Sequence, residues 1–338
     1  MKILKTTLIG VSALALTATV LTADTLSTTK SKGMLSCGLN TGLAGFASPD
    51  SKGVWKGLDV DMCRAVASAI FGDASKVKYA HLNAKERFTA LQSGEIDVLA
   101  RNTTWTATRD TSLGLNFAGV NYYDGQGFLV SKKIGVNSAK ELDGATFCIQ
   151  AGTTTELNLT DYFKANKMSY KPVTYDTSSQ TIEGFKAGRC DAVTSDASQL
   201  YALATKLKDP KSVKVLPEII SKEPLGPVVR QGDDKWFNIV KWTHIAMINA
   251  EELGVNSKNV DSMLKSKDPN IQRLLGVSGK TGENLGLSAK WAYNIIKNVG
   301  NYAESFERNV GKGSPLGISR GQNALWNKGG LQYGAPIR

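Results

Sequence analysis

Short apolar runs that break into glycine, hydroxyl and amide residues recur along the chain, separated by stretches with apolar residues every three or four positions. Residues 34–40 (MLSCGLN), 96–101 and 146–150 are runs of the first kind, and residues 76–82 alternate with period two. These are strand patterns. Residues 57–72 put Val60, Cys63, Val66 or Ala67, and Ile70 at helical spacing, with Asp59 placed to cap the start and Gly72 to end the helix. Residues 84–93 put Phe88 and Leu91 on one helical face, with Gly94 just beyond. Strand, helix, strand, helix, strand is the alternation that enforces parallel pairing through right-handed crossovers.

A second cycle follows. Its first strand covers residues 146–150 and breaks at Gly152 into a helix marked by Leu157 and Tyr162 or Phe163; a helix over 181–186 and a strand over 190–194 complete it. Residues 225–231 read as a return segment leading into a long helix, WFNIVKWTHIAMINAEEL. Its stripe of Trp236, Ile239 or Val240, Thr243, Met247 and Ala250 is expected to pack back on the first lobe. Residues 254–338 alternate short helical pieces with glycine-rich turns, and Trp291, Ile295 and Tyr302 there read as core and contact residues.

The two cycles share a grammar at their third strands. Counting from Gly94 in SGEIDVLARN and from Gly188 in AGRCDAVTSD, an aspartate (Asp97, Asp191) comes three residues later, then an apolar core, then Asn102 or Asp196. Open α/β sheets build ligand sites at the carboxyl ends of such strands. The stretch DVLARNTTWTATRD runs on to Arg109, so one half-site presents a cation and the other an anion, Asp196. A ligand carrying both charges suits that pair. Thr153 and Glu156 match a capping box, which serves the helix alone. The first-turn N–H groups and the hydroxyls of Thr153 and Thr154 can also receive a carboxylate, since a helix N-terminus has free donors and a positive dipole end.

A length of 338 residues with 41% hydrophobic side chains allows about two domains, each with its own core. Residues 1–23 stand apart: Lys2 and Lys5 precede an apolar run, and Ala23 is a small residue suited to precede a cleavage site, as in a secretory signal peptide. No later stretch is long and apolar enough to span a membrane, so a soluble protein outside the cytoplasm is expected. Without Lys2 and Lys5 the 41 basic residues become 39 against 30 acidic ones, a formal +9. These charges are scattered with no five-residue basic run, so nucleic acid is not an expected partner. Four cysteines in an exported chain favour pairing, Cys37 with Cys63 and Cys148 with Cys190, because each pair then stays in one half of the molecule. His81 and His244 are far apart and lack neighbouring ligands, so no metal site is expected. No GxSxG, P-loop, HExxH or CxxC pattern occurs, and no cofactor is implied.

Several stretches together resemble the family 3 periplasmic solute-binding proteins of amino-acid ABC importers. They are Phe46 with Gly57-Leu58-Asp59-Val60-Asp61 beginning eleven positions on, IDVLARNTTWTATRD, GQGFLV, Gly152-Thr153-Thr154, and Ala192-Val193-Thr194-Ser195-Asp196. NAKERFTALQSG, GLNFAGVNYYDGQGF and EIISKEPLGPVVRQGDD are most similar to the general L-amino-acid-binding subgroup. The resemblance implies a type II, two-lobed α/β fold in which each lobe is a mainly parallel sheet flanked by helices. Residues 33–127 and 226–338 would form lobe 1, with a C-terminal helical extension, and residues 128–225 lobe 2, joined by two hinge crossovers. It implies further that Arg109 holds the ligand α-carboxylate, with Thr104, the backbone near Asn102, Thr153 and Thr154 assisting, and that Asp196 holds the α-ammonium. Phe46 would line the site. Where many relatives place an aromatic three residues before Phe46, this chain has Leu43, which fits a permissive pocket.

The resemblance thus implies a monomeric binding protein that passes L-amino acids to a membrane permease. The competing reading is an enzyme on the same bilobal scaffold, of dehydratase or lytic hydrolase type, since a fold does not fix a function. Such an enzyme needs a tuned acid or base beside the ligand, and the candidate charges are already committed to binding. An adhesin or sensor ectodomain is a third reading, and the missing second membrane segment counts against a sensor.

Overall fold

The computed structural model describes residues 24–338, so the proposed signal peptide lies outside the described residues. Two five-stranded sheets carry the fold. The first has the order Val77–Leu82, Leu35–Asn40, Val98–Leu99, Val228–Arg230, Leu115–Phe117; the second has Lys171–Tyr175, Thr146–Gln150, Ala192–Asp196, Gln126–Ser131, Val213–Val215. In each, the first three strands are parallel and the fourth runs against both of its neighbours, so four of five point the same way. The fourth strand of each sheet comes from beyond a crossing between them. The chain makes those crossings side by side, where Tyr122–Asp124 pairs antiparallel with Glu223–Leu225.

The repeated Gly-x-x-Asp grammar has one structural job in both sheets. Asp97 Oδ2 accepts from Ser36 N (2.9 Å) and Asp97 N donates to Ser36 O (2.8 Å). Asp191 does the same with Thr146, at 2.8 Å in both directions. Each aspartate therefore locks the start of the neighbouring parallel strand, and Gly94 and Gly188, at φ 79° and 70°, make the turns that precede it.

The disulfides Cys37–Cys63 and Cys148–Cys190 form as expected, with Cα separations of 6.0 and 5.6 Å. The first ties the strand Leu35–Asn40, second in sheet one, to the helix Leu58–Phe71. That helix is buried on nearly every side, because helices Asp234–Glu252 and Trp291–Asn298 both pack on it. The expected stripe of the long helix is buried throughout, and its Trp236 donates from Nε1 to Asp97 O (2.9 Å). Trp291, Ile295 and Tyr302 join the same core.

The C-terminal segment also grips the hinge. Asn323 forms two hydrogen bonds with the Tyr123 backbone (2.7 and 3.0 Å), Tyr302 Oη donates to Asn121 O (2.8 Å), and Phe306 stacks on Tyr122. Among the described residues no helix is long and apolar enough to cross a membrane.

Candidate functional site

Strand Val98–Leu99 ends in a turn that brings Arg101, Asn102, Thr103 and Thr104 to the cleft between the sheets. Asn102 has a φ of 29°, in a region asparagine tolerates better than most residues. Its N–H donates to Asp59 Oδ2 (2.9 Å) and its side-chain oxygen accepts from Asn40 Nδ2 (3.0 Å). Asp59 is thus the anchor of this turn and not the helix cap expected. The helix it belongs to starts from Gly57 without a side-chain cap. Burial pushes the Asp59 carboxyl up to about 7, partly offset by the Asn102 N–H and Arg101.

The spacing of Phe46 and Gly57 is explained by backbone contact. Phe46 O accepts from Asp59 N (3.0 Å), and a Cβ on Gly57 would lie 1.9 Å from that carbonyl. The Phe46 ring is buried edge-on against Tyr122, centroids 5.2 Å apart. Phe46, expected at the ligand, therefore sits in the core and does not line the cleft cavity, and Leu43 is buried beside it.

From the second sheet, strand Thr146–Gln150 delivers Gln150 and the turn to Thr153. The capping box expected there does not form. Thr153 Oγ1 donates to Gln150 O (2.7 Å), and Glu156 accepts from Gly152 N (2.9 Å), one residue earlier than the box requires.

Sequence reasoning missed Glu223, which stands on the hinge strand and is fully buried. Its Oε2 accepts from Thr104 Oγ1 (2.6 Å) of one lobe and Thr154 Oγ1 (3.1 Å) of the other, and its Oε1 from Asn158 Nδ2 and Ser221 Oγ (both 2.7 Å). A threonine hydroxyl has one hydrogen. With both hydrogens given to Glu223, Thr104 and Thr154 offer only lone pairs to the cavity. That arrangement suits an ammonium.

Asp196, at the end of strand Ala192–Asp196, is buried at the opposite wall. Its carboxyl is pushed well above the usual range, first by burial and then by the negative charges of Asp124 and Glu223; the Asn102 side chain and Arg87 act the other way. Asp124 is itself raised to about 6 by burial, although the Ser198 hydroxyl and the N–H groups of Gly125 and Ser198 favour its anion. Among the described residues no group of three His, Cys, Asp or Glu side chains is arranged to hold a metal ion.

Three guanidinium groups complete the site: Arg109, which was expected, and Arg87 and Arg101, which were not. Arg109 Nη1 donates to Thr104 O (2.8 Å), and both Arg109 and Arg87 lie against the Phe88 ring, 5.1 and 4.7 Å from its centroid. Arg101 Nε donates to Leu82 O (2.8 Å). All three are buried, at 8%, 2% and 1% exposure for Arg109, Arg87 and Arg101. Among the described residues none has a carboxylate oxygen within 4.0 Å. Burial holds all three below the ordinary arginine range, Arg101 at about 10.

The cavity between these groups measures about 20 Å³. Arg87, Arg101, Asn102 and Thr104 form one wall; Gln150, Thr153, Thr154 and Asp196 form the other. Arg109 stands behind the first wall. Room for roughly one water means that the lobes are closed, and Lys85 and Asp176 form an exposed ion pair (2.9 Å) between them. A larger depression of about 830 Å³ lies at the hinge, but among the described residues no buried polar atom lacking a partner lines it.

Two lobes closing on a small, highly charged cleft define a solute-binding protein. The chain belongs to the bacterial extracellular solute-binding proteins of family 3, whose pattern matches residues 35–255. It is 60% identical over 332 residues to the general L-amino acid-binding periplasmic protein AapJ of Rhizobium johnstonii, covering 98% of this chain and 97% of that one. It is 52% identical over 330 residues to the glutamate/glutamine/aspartate/asparagine-binding protein BztA of Rhodobacter capsulatus, covering 97% and 98%. A periplasmic binding protein of an ABC transporter from Brucella ovis, solved with glutathione bound, superposes with a TM-score of 0.92 at 62% identity, covering 94% of this chain and all of that one. These relatives are binding proteins, and the enzyme reading finds no support among them.

Proposed function

We propose that this protein captures L-amino acids, and compounds that keep a free α-amino acid end, outside the cytoplasm and delivers them to the membrane permease of an ABC importer. The observation that carries this reading is a buried carboxyl, Asp196, facing across one closed cleft buried guanidinium groups that have no ion-pair partner among the described residues. A buried charge is tolerable only when paired, and a zwitterion pairs both kinds at once. Asp196 receives the α-ammonium, with lone pairs from Thr104 and Thr154. Arg109 receives the α-carboxylate through the donors not spent on Thr104 O, in the two-pronged geometry that guanidinium groups favour. Asn102 and Thr153 complete the walls. Broad specificity is supported by the ligands of the relatives, which range from general L-amino acids to glutathione, a peptide with a free α-amino acid end.

Native mass spectrometry of the mature protein, mixed with equimolar L-amino acids, tests this directly. The expected result is a one-to-one complex with several of them. A spectrum of ligand-free protein at millimolar amino acid would overturn the reading.

A further inference from the structure

An α-amino acid brings one α-carboxylate, yet the cleft holds three buried guanidinium groups without a carboxylate within 4.0 Å among the described residues. Arg109 is spoken for in the reading above. The other two keep buried donors with no hydrogen-bond partner among the described residues, Arg87 Nε and Arg101 Nη2, and both side chains line the cavity. Their remaining contacts hold them in place without neutralising them. Arg101 Nε is fixed to Leu82 O at 2.8 Å, and Arg87 Nη1 reaches Thr103 Oγ1 and Arg101 O only at 3.4 and 3.5 Å. Buried donors are almost always satisfied in folded proteins, and two adjacent cations left unpaired repel each other. Such a pair is made for an anion that arrives with the ligand.

We propose that Arg87 and Arg101 form a receptor for a second anionic group, so that the cleft prefers ligands with a carboxylate beyond the α-carbon. That carboxylate belongs either to an acidic side chain or to the far end of a short peptide. The inference rests on the zwitterion reading given above. It adds an order of preference within a permissive site, where neutral amino acids bind through Asp196 and Arg109 and acidic ones gain further bonds. A charge-assisted hydrogen bond contributes enough for about tenfold or more in affinity.

The test is calorimetry on the full mature chain with L-glutamate, its γ-methyl ester, L-norvaline and glutathione. The parent protein should bind glutamate about tenfold or more tightly than the ester or norvaline, a comparison that needs no variant to fold. Arg87→Gln and Arg101→Gln should each shrink the glutamate advantage to about threefold or less, with circular dichroism melts confirming folded protein. If these variants also lose the advantage for glutathione over norvaline, the far carboxylate of a short peptide uses the same receptor; if glutathione keeps it, the receptor serves the acidic side chain alone. Variants that keep the full glutamate advantage overturn the inference. An ester that binds as tightly as glutamate overturns the inference, and so does an Arg87→Gln variant that weakens norvaline and glutamate equally, which would make Arg87 the α-carboxylate partner. Failure of every ligand to bind the parent would instead remove the zwitterion reading itself.

Discussion

Replacing Asp196 by asparagine should move ligand affinity and protein stability in opposite directions. In the proposed ligand-bound state Asp196 is the anion that pairs with the α-ammonium, and removing one member of a buried ion pair costs about 3–5 kcal/mol. That corresponds to roughly a hundredfold to several thousandfold weaker binding, for leucine and glutamate alike. Without ligand the same carboxylate is buried with Asp124 and Glu223 close by and its anion disfavoured. Asparagine keeps its shape and removes the charge, which should stabilise the free protein by about 1–3 kcal/mol. At about 2–4 °C per kcal/mol, the free variant should melt several degrees above the parent. Titration calorimetry and scanning calorimetry on one preparation read both effects. Leucine binding within threefold of the parent, or a free variant that melts lower than the parent, would refute the reasoning.

The other expected outcomes concern the scaffold. Reducing the disulfides, which close loops of 26 and 42 residues, should cost about 3.5 and about 4 kcal/mol; a denaturation midpoint unchanged by reductant would contradict this. The Asp59 carboxyl, raised by burial to about 7 against about 3.9 in the unfolded chain, contributes stability that is complete below about pH 4 and lost as pH rises through 7. The buried His244, held down at about 4, acts oppositely below about pH 6.5. Asp59 alone should therefore add about 0.8 kcal/mol to the stability of the free protein between pH 8 and pH 6.5, and Asp59→Asn, which keeps an acceptor for the Asn102 N–H, should remove that share of the pH dependence in thermal melts. A cavity of about 20 Å³ cannot admit an amino acid, so the lobes must part about the paired strands Tyr122–Asp124 and Glu223–Leu225. Small-angle scattering should show a smaller radius of gyration with amino acid than without, and identical values would count against hinge motion.

Much of the fold was legible in the sequence because each signal had a local cause. The Gly-x-x-Asp repeat marked two equivalent strand starts, and the stripe of the helix Asp234–Glu252 named its buried face. The cysteine pairs followed from keeping each bond within one cycle. The site was legible only where a charge ended a strand. Asp196 stood out for that reason, and Arg109 because it closes the polar stretch that follows strand Val98–Leu99, although it lies on the helix Ala107–Ser112. Arg101 carried a weaker sign, a cation directly after a buried run, and Arg87 none, since a helix shows its polar face to solvent unless another lobe closes over it. Glu223 lies 119 and 69 residues from the hydroxyls it binds, a distance no spacing rule spans. Asp59 and Phe46 were misread because their motif looked like a cap and a pocket wall. Its cause is the close backbone approach at Gly57 and the turn at Asn102, both tertiary contacts.

The central claim, that one cleft receives both charges of an α-amino acid, is tested most directly by calorimetry on the unaltered protein with L-leucine, its decarboxylated analogue 3-methylbutylamine and its deaminated analogue 4-methylpentanoate. All three share the same side chain, so only the charges differ. The account predicts that leucine binds and that each analogue is weakened by roughly a hundredfold or more. Binding of either analogue within threefold of leucine would contradict it.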